Sequence, residues 1–453
     1  MQGETMPRND GAQRRARPRG RAGRWIAALT VAVLALPVAG CGSDDGGGSS
    51  TGSAAGTAAA AAAKATCGLA NGRRATGTPI KVGAVVGATG PADFSSAAKS
   101  AKAYFDCVNA NGGIDGRPVR YLVEDDGWNP EKAGQVARKL VEDEKVVAMI
   151  GSTSFVECGV NAKYYEQRDV LVVAGVGVPR ECFHSRNIAP TNQGPRLSGI
   201  GAAQYAKQNG AKSIACVANS IPNFGGWVCE GVEAWGRQAG VEVKSFNGKP
   251  DASDAESITL KALGAKTDAV VLVDAAPAMA AYLKVAQQQG SGGEDRPWYL
   301  PTSAYDLSFP KTVGAYWNDK LTAAIELAPL DGTGRDNATW SAIMDEYGGD
   351  APRDSFSQAG YLAAKIFVDT ALKLEGQVDR ASVGAALRDV RDFKTDLLCA
   401  PWYFGDGDRH NPNHAGRVVR QTGEGETGFS TIEQCREIED PELRDVRDAE
   451  RGA

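Results

Sequence analysis

The length, composition and charge of the chain already exclude several classes of protein. With 453 residues it is too long for one ordinary domain, because a single hydrophobic core stops growing at about 250 to 300 residues. Hydrophobic residues make up 42% of the chain and charged residues 23%, a balance typical of a globular protein. The formal net charge of -5 argues against a phosphate-binding surface, so nucleic acid is not an expected partner.

Residues 1–40 are predicted to be a signal peptide that directs export. They begin with a region of seven arginines that contains only two acids, Glu4 and Asp10. The apolar stretch 25–38 follows this region, but it is shorter than the roughly 20 residues that cross a bilayer, and it ends in small residues. A basic region followed by a short apolar region is typical of a segment that is removed after export.

The motif that ends this stretch, Val38-Ala39-Gly40-Cys41, resembles the bacterial lipobox. In a lipobox the cysteine thiol receives a lipid and becomes the mature N-terminus, which predicts lipidation of Cys41 and contact with the membrane through the lipid anchor only. The alternative is an ordinary cleavage site with a chance cysteine. Residues 41–78 are predicted to be a flexible tether, because 43–64 consists almost entirely of Gly, Ser, Thr and Ala.

The chain contains nine cysteines, and lipidation of Cys41 leaves eight. In an exported protein this even number indicates up to four disulfides. Eight cysteines allow 105 pairings. The order of the elements that carry them favours neighbours in the chain: Cys67–Cys107, Cys158–Cys182, Cys216–Cys229 and Cys399–Cys435. No metal and no cofactor is expected, because the chain has no C-x-x-C and Pro412 separates His410 from His414.

From residue 79 onward, short β-branched runs alternate with segments of helical spacing, as in βαβ units around a parallel sheet. The first set has predicted strands at 80–86, 119–123, 146–150 and 171–174, with helices at 97–108 and 131–144. After a break at 190–192 the alternation restarts, with segments at 214–218, 228–239, 241–246, 258–263, 269–273, 279–289 and 298–300. Two α/β lobes are therefore predicted.

The last third of the chain is predicted to be mostly helical. After 321–327, helical stretches follow at 337–346, 355–374 and 381–390, and the chain turns β-like around 402–404 and 417–419. Residues 436–453 alternate acids and arginines. This alternation predicts a charged C-terminal tail, either a solvated helix or a loose segment.

Several short motifs now carry a family resemblance. In order and spacing they are IKVG at 80–83, TGPA at 89–92, VNANGGIDGRPV at 108–119, EDD at 124–126, KLV at 139–141, IG at 150–151, NFG at 223–225 and FGDGD at 404–408. The ordered set resembles the leucine/isoleucine/valine-binding family of ABC-transporter receptors over residues 79–435.

The resemblance implies an α/β type I periplasmic binding fold, in which two Rossmann-like lobes with parallel sheets are joined by three crossovers. Lobe one would contain 79–191 and 328–395, and lobe two would contain 192–327 and 396–435. The crossovers would lie near Thr191, Pro329 and Asp396. A ligand would bind in the cleft between the lobes, and closure of the lobes around it would create the shape that a membrane permease recognises.

The chain departs from the family at the positions that hold an amino acid. The family's two hydroxyl contacts to the ligand carboxylate fall on Phe155 and Val178, which cannot donate, and its ammonium-binding acid falls near Thr302 or Ser303. These departures argue against an ordinary aliphatic amino acid. They favour a ligand with a flat or apolar body and few charges, which would be amino-acid-like or of an aromatic or amide type.

The candidate ligand-binding residues follow predicted strands or supply aromatic surface. They are Phe94, Ser152, Thr153, Ser154, Phe155, Gly175, Val176, Phe224, Asp274 and Tyr305. Asp274 ends a buried strand and could pair with a cation. The alternatives are that Ser152 to Ser154 cap a helix near Glu157, that Asp274 caps the helix at Pro277, and that the nearby aromatic Trp227 belongs to the core.

No motif of an enzyme is present, since the chain has no G-x-S-x-G, no P-loop and no H-E-x-x-H. We therefore expect a monomeric, lipid-anchored solute-binding protein on the extracytoplasmic face of the cell membrane. Its expected partners are a small-molecule ligand and the permease subunits of an ABC importer. The alternative is a ligand-sensing lipoprotein whose partner is a signalling receptor.

Overall fold

The computed structural model describes residues 66–221, 223–293 and 296–451. The predicted signal peptide, Cys41 and the tether up to residue 65 lie outside the described residues. All of the described chain belongs to one compact unit, Ala60–Ala453. Within it, no helix is both long enough and apolar enough to span a membrane.

The first sheet has five parallel strands in the order β2-β1-β3-β4-β5. These strands are β1 (Ile80–Val86), β2 (Val119–Asp125), β3 (Met149–Ile150), β4 (Val172–Ala174) and β5 (Ile188–Pro190). The helices between them are α1 (Ser96–Ala110), α2 (Pro130–Arg138) and α3 (Glu157–Gln167). The helix predicted at 131–144 divides, because α2 continues as a π-helical turn over Lys139–Asp143. The predicted strand 146–150 is reduced to its last two residues.

The second sheet begins with five parallel strands, β6 (Ser213–Asn219), β7 (Glu242–Gly248), β8 (Ala269–Val273), β9 (Trp298–Leu300) and β10 (Leu321–Ile325). The helices that cover it are α4 (Gly194–Gln208), α5 (Gly225–Ala239), α6 (Ala255–Gly264), α7 (Ala276–Gln288) and α8 (Phe309–Val313). Strands β8 and β10 are buried along their whole length, which explains the continuous apolar sequence of β8 and the apolar sequence of β10, where Thr322 is the one polar residue.

Three further helices return to the first sheet: α9 (Arg335–Tyr347), α10 (Ser355–Ala371) and α11 (Arg380–Arg388). Helix α10 packs on α1, with the rings of Tyr104 and Tyr361 5.2 Å apart. A Cβ atom at Gly360 would lie 1.9 Å from the carbonyl oxygen of Ala97, so this close approach requires glycine. We call the first sheet with these helices lobe one and the second sheet with α4 to α8 lobe two; the residues at which the chain crosses between them stay a prediction.

The chain then adds two antiparallel strands to lobe two, β11 (Ala415–Gln421) beside β10 and β12 (Phe429–Glu437) at the edge. The β-like signal at 417–419 corresponds to β11. The signal at 402–404 does not correspond to a strand, because Trp402 makes only an isolated bridge with Phe393. Its aromatic residues instead fill the core, where Trp402 and Phe404 are fully buried.

The C-terminal segment 436–453, for which the sequence predicts a solvated helix or a loose tail, is partly packed against the core and partly helical. Strand β12 extends to Glu437, and the side chains of Ile438 and Leu443 are buried in the main core. A final helix, α12 (Arg444–Arg451), follows. The alternation of charges gave no indication that Ile438 and Leu443 are buried, or that the acid Asp440 is only 3% exposed.

Four disulfides join Cys67 to Cys107, Cys158 to Cys182, Cys216 to Cys229 and Cys399 to Cys435. They are the same pairs that chain order favours. The first ties the segment before β1 to α1, and the last ties the loop after α11 to the edge strand β12. Each crosslink is of a kind worth about 2 to 4 kcal/mol, mainly because it restricts the unfolded chain.

Candidate functional site

The candidate site is a cavity between the lobes, at the carboxyl ends of strands from both sheets. Loops at this end of a parallel sheet are the usual position of ligand contacts. Phe94, Phe155, Val176 and Val178 follow strands of the first sheet, whereas Phe224, Asp274, Ser303 and Glu326 follow strands of the second. The topology therefore brings together side chains that are up to 232 positions apart in the chain.

Four phenylalanines, Phe94, Phe155, Phe224 and Phe356, give the cavity an aromatic wall. The ring of Phe94 lies 5.0 Å from that of Phe155 and 5.6 Å from that of Phe356. Behind them, Trp128 stacks on Phe155 at 4.1 Å. Phe155 of lobe one also reaches Phe224 of lobe two, with ring centroids 5.4 Å apart. These two rings therefore contact each other across the cleft.

The cleft is nearly closed. The cavity has a free volume of only about 40 Å³, which is room for about three water molecules. An organic ligand with a ring therefore requires the lobes to separate or the phenylalanine side chains to rotate. Two-lobed proteins of this kind commonly open by a hinge and close around the ligand.

Asp274, directly after β8, is the first of two buried acids at the cavity and is 2% exposed. Its Oδ1 accepts hydrogen bonds from Asn219 Nδ2 and from the backbone N–H of Ala275, both at 2.8 Å. Its Oδ2 has no partner in the described chain. Burial raises the pKa of Asp274 to about 6. Asp274 does not cap α7, whose N-cap position is Ala275.

Glu326, directly after β10, is the second acid, and the sequence analysis missed it. It is fully buried, and its Oε2 accepts a hydrogen bond of 2.9 Å from the backbone N–H of Gln193. Its Oε1 has no partner among the described residues. Burial raises the pKa of Glu326 to about 8. The signal that would have found it is the one that identified Asp274, an acid that ends an apolar buried strand.

Hydroxyl and amide groups complete the polar side of the cavity. Ser303 Oγ donates to the backbone carbonyl of Asp274 at 2.7 Å, and Thr302 Oγ1 lies 3.2 Å from Ser355 Oγ. Asn192 is occupied by the backbone of Gly177, from which it accepts and to which it donates. The hydroxyl of Ser198, in contrast, has no partner within the described chain.

Ser152, Thr153 and Ser154 do not line the cavity. Their side chains are buried, and their hydroxyl groups already have partners inside lobe one. Ser154 Oγ accepts hydrogen bonds from the backbone N–H groups of Val156 and Glu157, both at 3.0 Å, at the start of α3, and it donates to the carboxylate of Asp126. The N-cap position of α3 is Val156, so Ser154 lies two residues before it. The ligand-binding expectation for the three residues stays a prediction.

Gly175, Tyr305 and Trp227 also lie outside the cavity. The backbone N–H of Gly175 donates to the carbonyl of Ser152, and its carbonyl accepts from Thr191 Oγ1, both at 3.0 Å. Tyr305 is buried, and its hydroxyl accepts a hydrogen bond from the backbone N–H of Leu330 at 3.0 Å. The ring of Trp227 packs 5.7 Å from that of Phe183, as its core alternative predicted.

A second, outer pocket of about 230 Å³ adjoins the cavity. The two share Phe94, Thr302, Ser303 and Phe356. The outer pocket adds three acids, Asp93, Asp306 and Asp354, and Tyr305 also lines it. No lysine, arginine or histidine lines either space in the part of the chain that the structure describes.

The described residues contain no group of three or more His, Cys, Asp or Glu side chains that could hold a metal ion. His410 is fully buried beside Phe404, with ring centroids 5.4 Å apart. Burial lowers the pKa of His410 to about 4, so this histidine is neutral near pH 7.

Solved structures show the same fold at low sequence identity. A possible leucine/isoleucine/valine-binding protein from Rhodopirellula baltica is 16% identical, with a TM-score of 0.70 over 80% of this chain and 97% of that one. A fatty acid ABC transporter substrate-binding protein from Thermomonospora curvata is 21% identical, with a TM-score of 0.70 over 82% and 95%. An ABC transporter solute-binding protein from R. palustris, in complex with 4-hydroxybenzoate, is 18% identical, with a TM-score of 0.71 over 81% and 100%.

No curated protein is significantly similar to the chain. The family described as periplasmic binding protein, however, matches residues 79–426, which is most of the chain. This match and the neighbouring structures confirm the resemblance to receptors of the leucine/isoleucine/valine-binding type and the type I fold. The chain belongs to the periplasmic binding protein family, which is a family of binding proteins and not of enzymes.

Proposed function

We propose that the protein is a monomeric, lipid-anchored receptor that captures a small organic ligand between its lobes outside the cytoplasm and delivers it to an ABC importer. The observation that carries the proposal is the cavity itself. It combines an aromatic wall with buried polar atoms that have no partner in the described chain. Such a surface suits a ligand with an apolar body and few polar groups.

The contact between Phe155 and Phe224 supports capture by closure of the lobes, since each lobe supplies one of the two rings. A ligand shifts such an equilibrium towards the closed form only if it contacts both lobes. Two relatives support an organic rather than an inorganic solute, because one is described as a fatty acid receptor and another was solved with 4-hydroxybenzoate.

A thermal-shift screen of amino acids, aromatic acids, amines and amides on the purified protein tests ligand capture. A compound present at 100 times its dissociation constant should stabilise the fold by about 2.7 kcal/mol. Phe224→Ala should weaken the response, because it removes one ring of the wall. Phe246→Ala, on the edge strand β7, is the matched control and should leave the response intact. The proposal fails if no compound raises the melting temperature, or if the two variants respond alike.

Lipid anchoring is tested separately. Cys41→Ala should release the protein from the membrane fraction, whereas the neighbouring change Ser43→Ala should not. Continued membrane attachment of Cys41→Ala would refute lipidation. Delivery to an importer predicts that the adjacent genes encode a permease and an ATPase, and that loss of this chain abolishes uptake of the identified ligand.

A further inference from the structure

The two acids at the cavity share an unusual pattern of hydrogen bonding. Asp274 and Glu326 each have one carboxylate oxygen that is satisfied by the protein and one that has no partner in the described chain. A buried acceptor without a partner is destabilising, because it has lost its hydrogen bonds to water, so proteins seldom leave one without a reason. Ser198 adds a third such oxygen to the same cavity. A ligand that donates hydrogen bonds would satisfy these atoms.

The charges around the cavity specify the ligand further. In the described chain, neither the cavity nor the outer pocket is lined by any basic side chain, whereas the outer pocket adds Asp93, Asp306 and Asp354. Of the three acids at the entrance, only Asp93 has a basic partner in the described chain, Lys99 at 3.4 Å. A carboxylate ligand would therefore approach through an acidic entrance and meet Asp274 and Glu326, which have no counter-charge. A cation would be attracted along the same route, because acidic walls around a cleft raise the local concentration of positive ions.

The aromatic wall of the cavity suits a cation as well. Four phenylalanine rings line the cavity, and the face of an aromatic ring attracts a positively charged group that lies within about 6 Å of its centroid. The apolar body of an organic cation would gain from burial against the same rings.

We propose that the cleft binds an organic amine, with one ammonium group on an aromatic or apolar body and no carboxylate. The inference rests on the proposed capture of a ligand in this cleft and specifies its chemical class. A primary ammonium has three N–H donors. The three unpartnered oxygens of Asp274, Glu326 and Ser198 match this number of donors. Amino acids, fatty acids and hydroxybenzoate carry a carboxylate that this cavity does not accommodate.

The protonation states of the acids agree with a single positive charge. With a pKa of about 6, Asp274 is mostly ionised at pH 7, whereas Glu326, with a pKa of about 8, is mostly protonated. The inner cavity therefore holds about one negative charge before ligand binds. A bound ammonium group would lower both pKa values, since a positive charge favours the ionised form.

Three probes that share one ring and differ in one group test the inference: benzylamine, benzamide and benzoate. Isothermal titration calorimetry should detect benzylamine as the tightest of the three. Asp274→Asn keeps the acceptor oxygen for Asn219 but removes the charge, and it should raise the Kd for benzylamine at least about tenfold. Asp268→Asn is the matched control, because Asp268 precedes β8 where Asp274 follows it, and this variant should bind benzylamine as the unaltered protein does.

Three results would overturn the inference. One is tighter binding of benzoate or benzamide than of benzylamine. Another is an equal Kd for benzylamine in Asp274→Asn and Asp268→Asn. The third is no binding of benzylamine at all. None of these results refutes capture of a solute in the cleft, which fails if no compound of the broader screen raises the melting temperature or if Phe224→Ala and Phe246→Ala respond alike.

Discussion

Buried acids are treated in opposite ways in two regions of this protein. In the C-terminal segment, Asp440 is paired with Arg196, whose Nε and Nη2 donate to its two carboxylate oxygens at 2.7 and 3.0 Å. Arg196 also donates to the backbone carbonyl of Trp227 at 2.7 Å. In the cleft, the carboxylates of Asp274 and Glu326 have no basic partner in the described chain.

Glu442 makes the contrast sharper. It lies 2.9 Å from Arg180 of lobe one and 3.1 Å from Arg196 of lobe two, so this one carboxylate connects the two lobes. Burial acts to raise its pKa, but the hydrogen bond from His184 and the charge of Arg196 lower it to about 2. The pKa values of the acids in the cleft are shifted upward instead. The comparison teaches that Asp440 and Glu442 are neutralised by arginines, whereas Asp274 and Glu326 have no counter-charge in the described chain, as is typical of acids at a functional site.

The largest loss of stability is expected when the ion pair between Arg196 and Asp440 is broken. Arg196→Met removes the only charge paired with Asp440 among the described contacts and leaves that carboxylate buried. Loss of one partner of a buried pair destabilises a protein by about 3 to 5 kcal/mol. Chemical unfolding in urea measures the change. The control is Arg391→Met, whose pair with Asp406 is more than half exposed and should contribute at most about 1 kcal/mol. Equal effects of the two variants would contradict the comparison.

An effect of the opposite sign is expected in the cleft. The folded-state pKa values of Asp274 and Glu326, about 6 and about 8, lie above the ordinary 3.8 and 4.5, so both groups bind a proton more tightly in the folded protein than in the unfolded chain. Their effect on the free energy of unfolding is therefore most favourable at low pH, and this contribution is lost as the pH rises from about 4 to 8. At pH 8 the free energy of unfolding of the double variant Asp274→Asn/Glu326→Gln should therefore be several kcal/mol higher than that of the unaltered protein, because one unit of pKa shift corresponds to about 1.4 kcal/mol. Near pH 4 the two values should be similar.

Thermal unfolding of both proteins without ligand, at several pH values, measures this difference. Glu157 and Asp354, whose pKa values burial also raises, remain in both proteins, so their contribution cancels. A double variant that is less stable than the unaltered protein at pH 8 would show that the two carboxylates are satisfied in the free protein.

The smallest effect is expected at Trp227. Trp227→Phe removes the hydrogen bond from Nε1 to Glu442, but it keeps a ring beside the guanidinium of Arg196, which lies 5.4 Å from the ring centroid. A hydrogen bond to a charged group contributes about 1.5 to 3 kcal/mol, and this one is partly exposed, so the loss should lie near the lower value. If Trp227→Phe lowered the free energy of unfolding as much as Arg196→Met does, the indole ring and not the ion pair would be the main source of stability at this site.

Most of the architecture followed from local patterns. Apolar β-branched runs that alternate with helical spacing predicted the strands of both sheets, and the family motifs predicted the type I fold. Boundaries were less certain where long-range contacts decide them. Strand β3 is short because only Met149 pairs with both neighbouring strands, whereas Ile150 pairs with β4 alone. The aromatic run 402–404 is packed in the core instead of in a sheet.

The candidate site was predicted only in part. Phe94, Phe155, Val176, Phe224 and Asp274 lie together at the cavity, as expected for residues that follow parallel strands. Ser152 to Ser154 follow β3 too, but their hydroxyl groups are used inside lobe one. Phe356, at the start of α10, had no local signal, since its place in the wall depends on how α10 packs on α1.

The sequence by itself determined the class of fold, the two-lobe organisation and the strand ends from which ligand contacts come. Periodicity and turn residues act over a few positions, so these features can be recognised without coordinates. Only the tertiary structure decided which buried acids find a partner. Asp440 meets Arg196 from 244 positions away, whereas no described basic residue reaches Asp274 or Glu326. Such pairing depends on long-range packing, which no local pattern encodes.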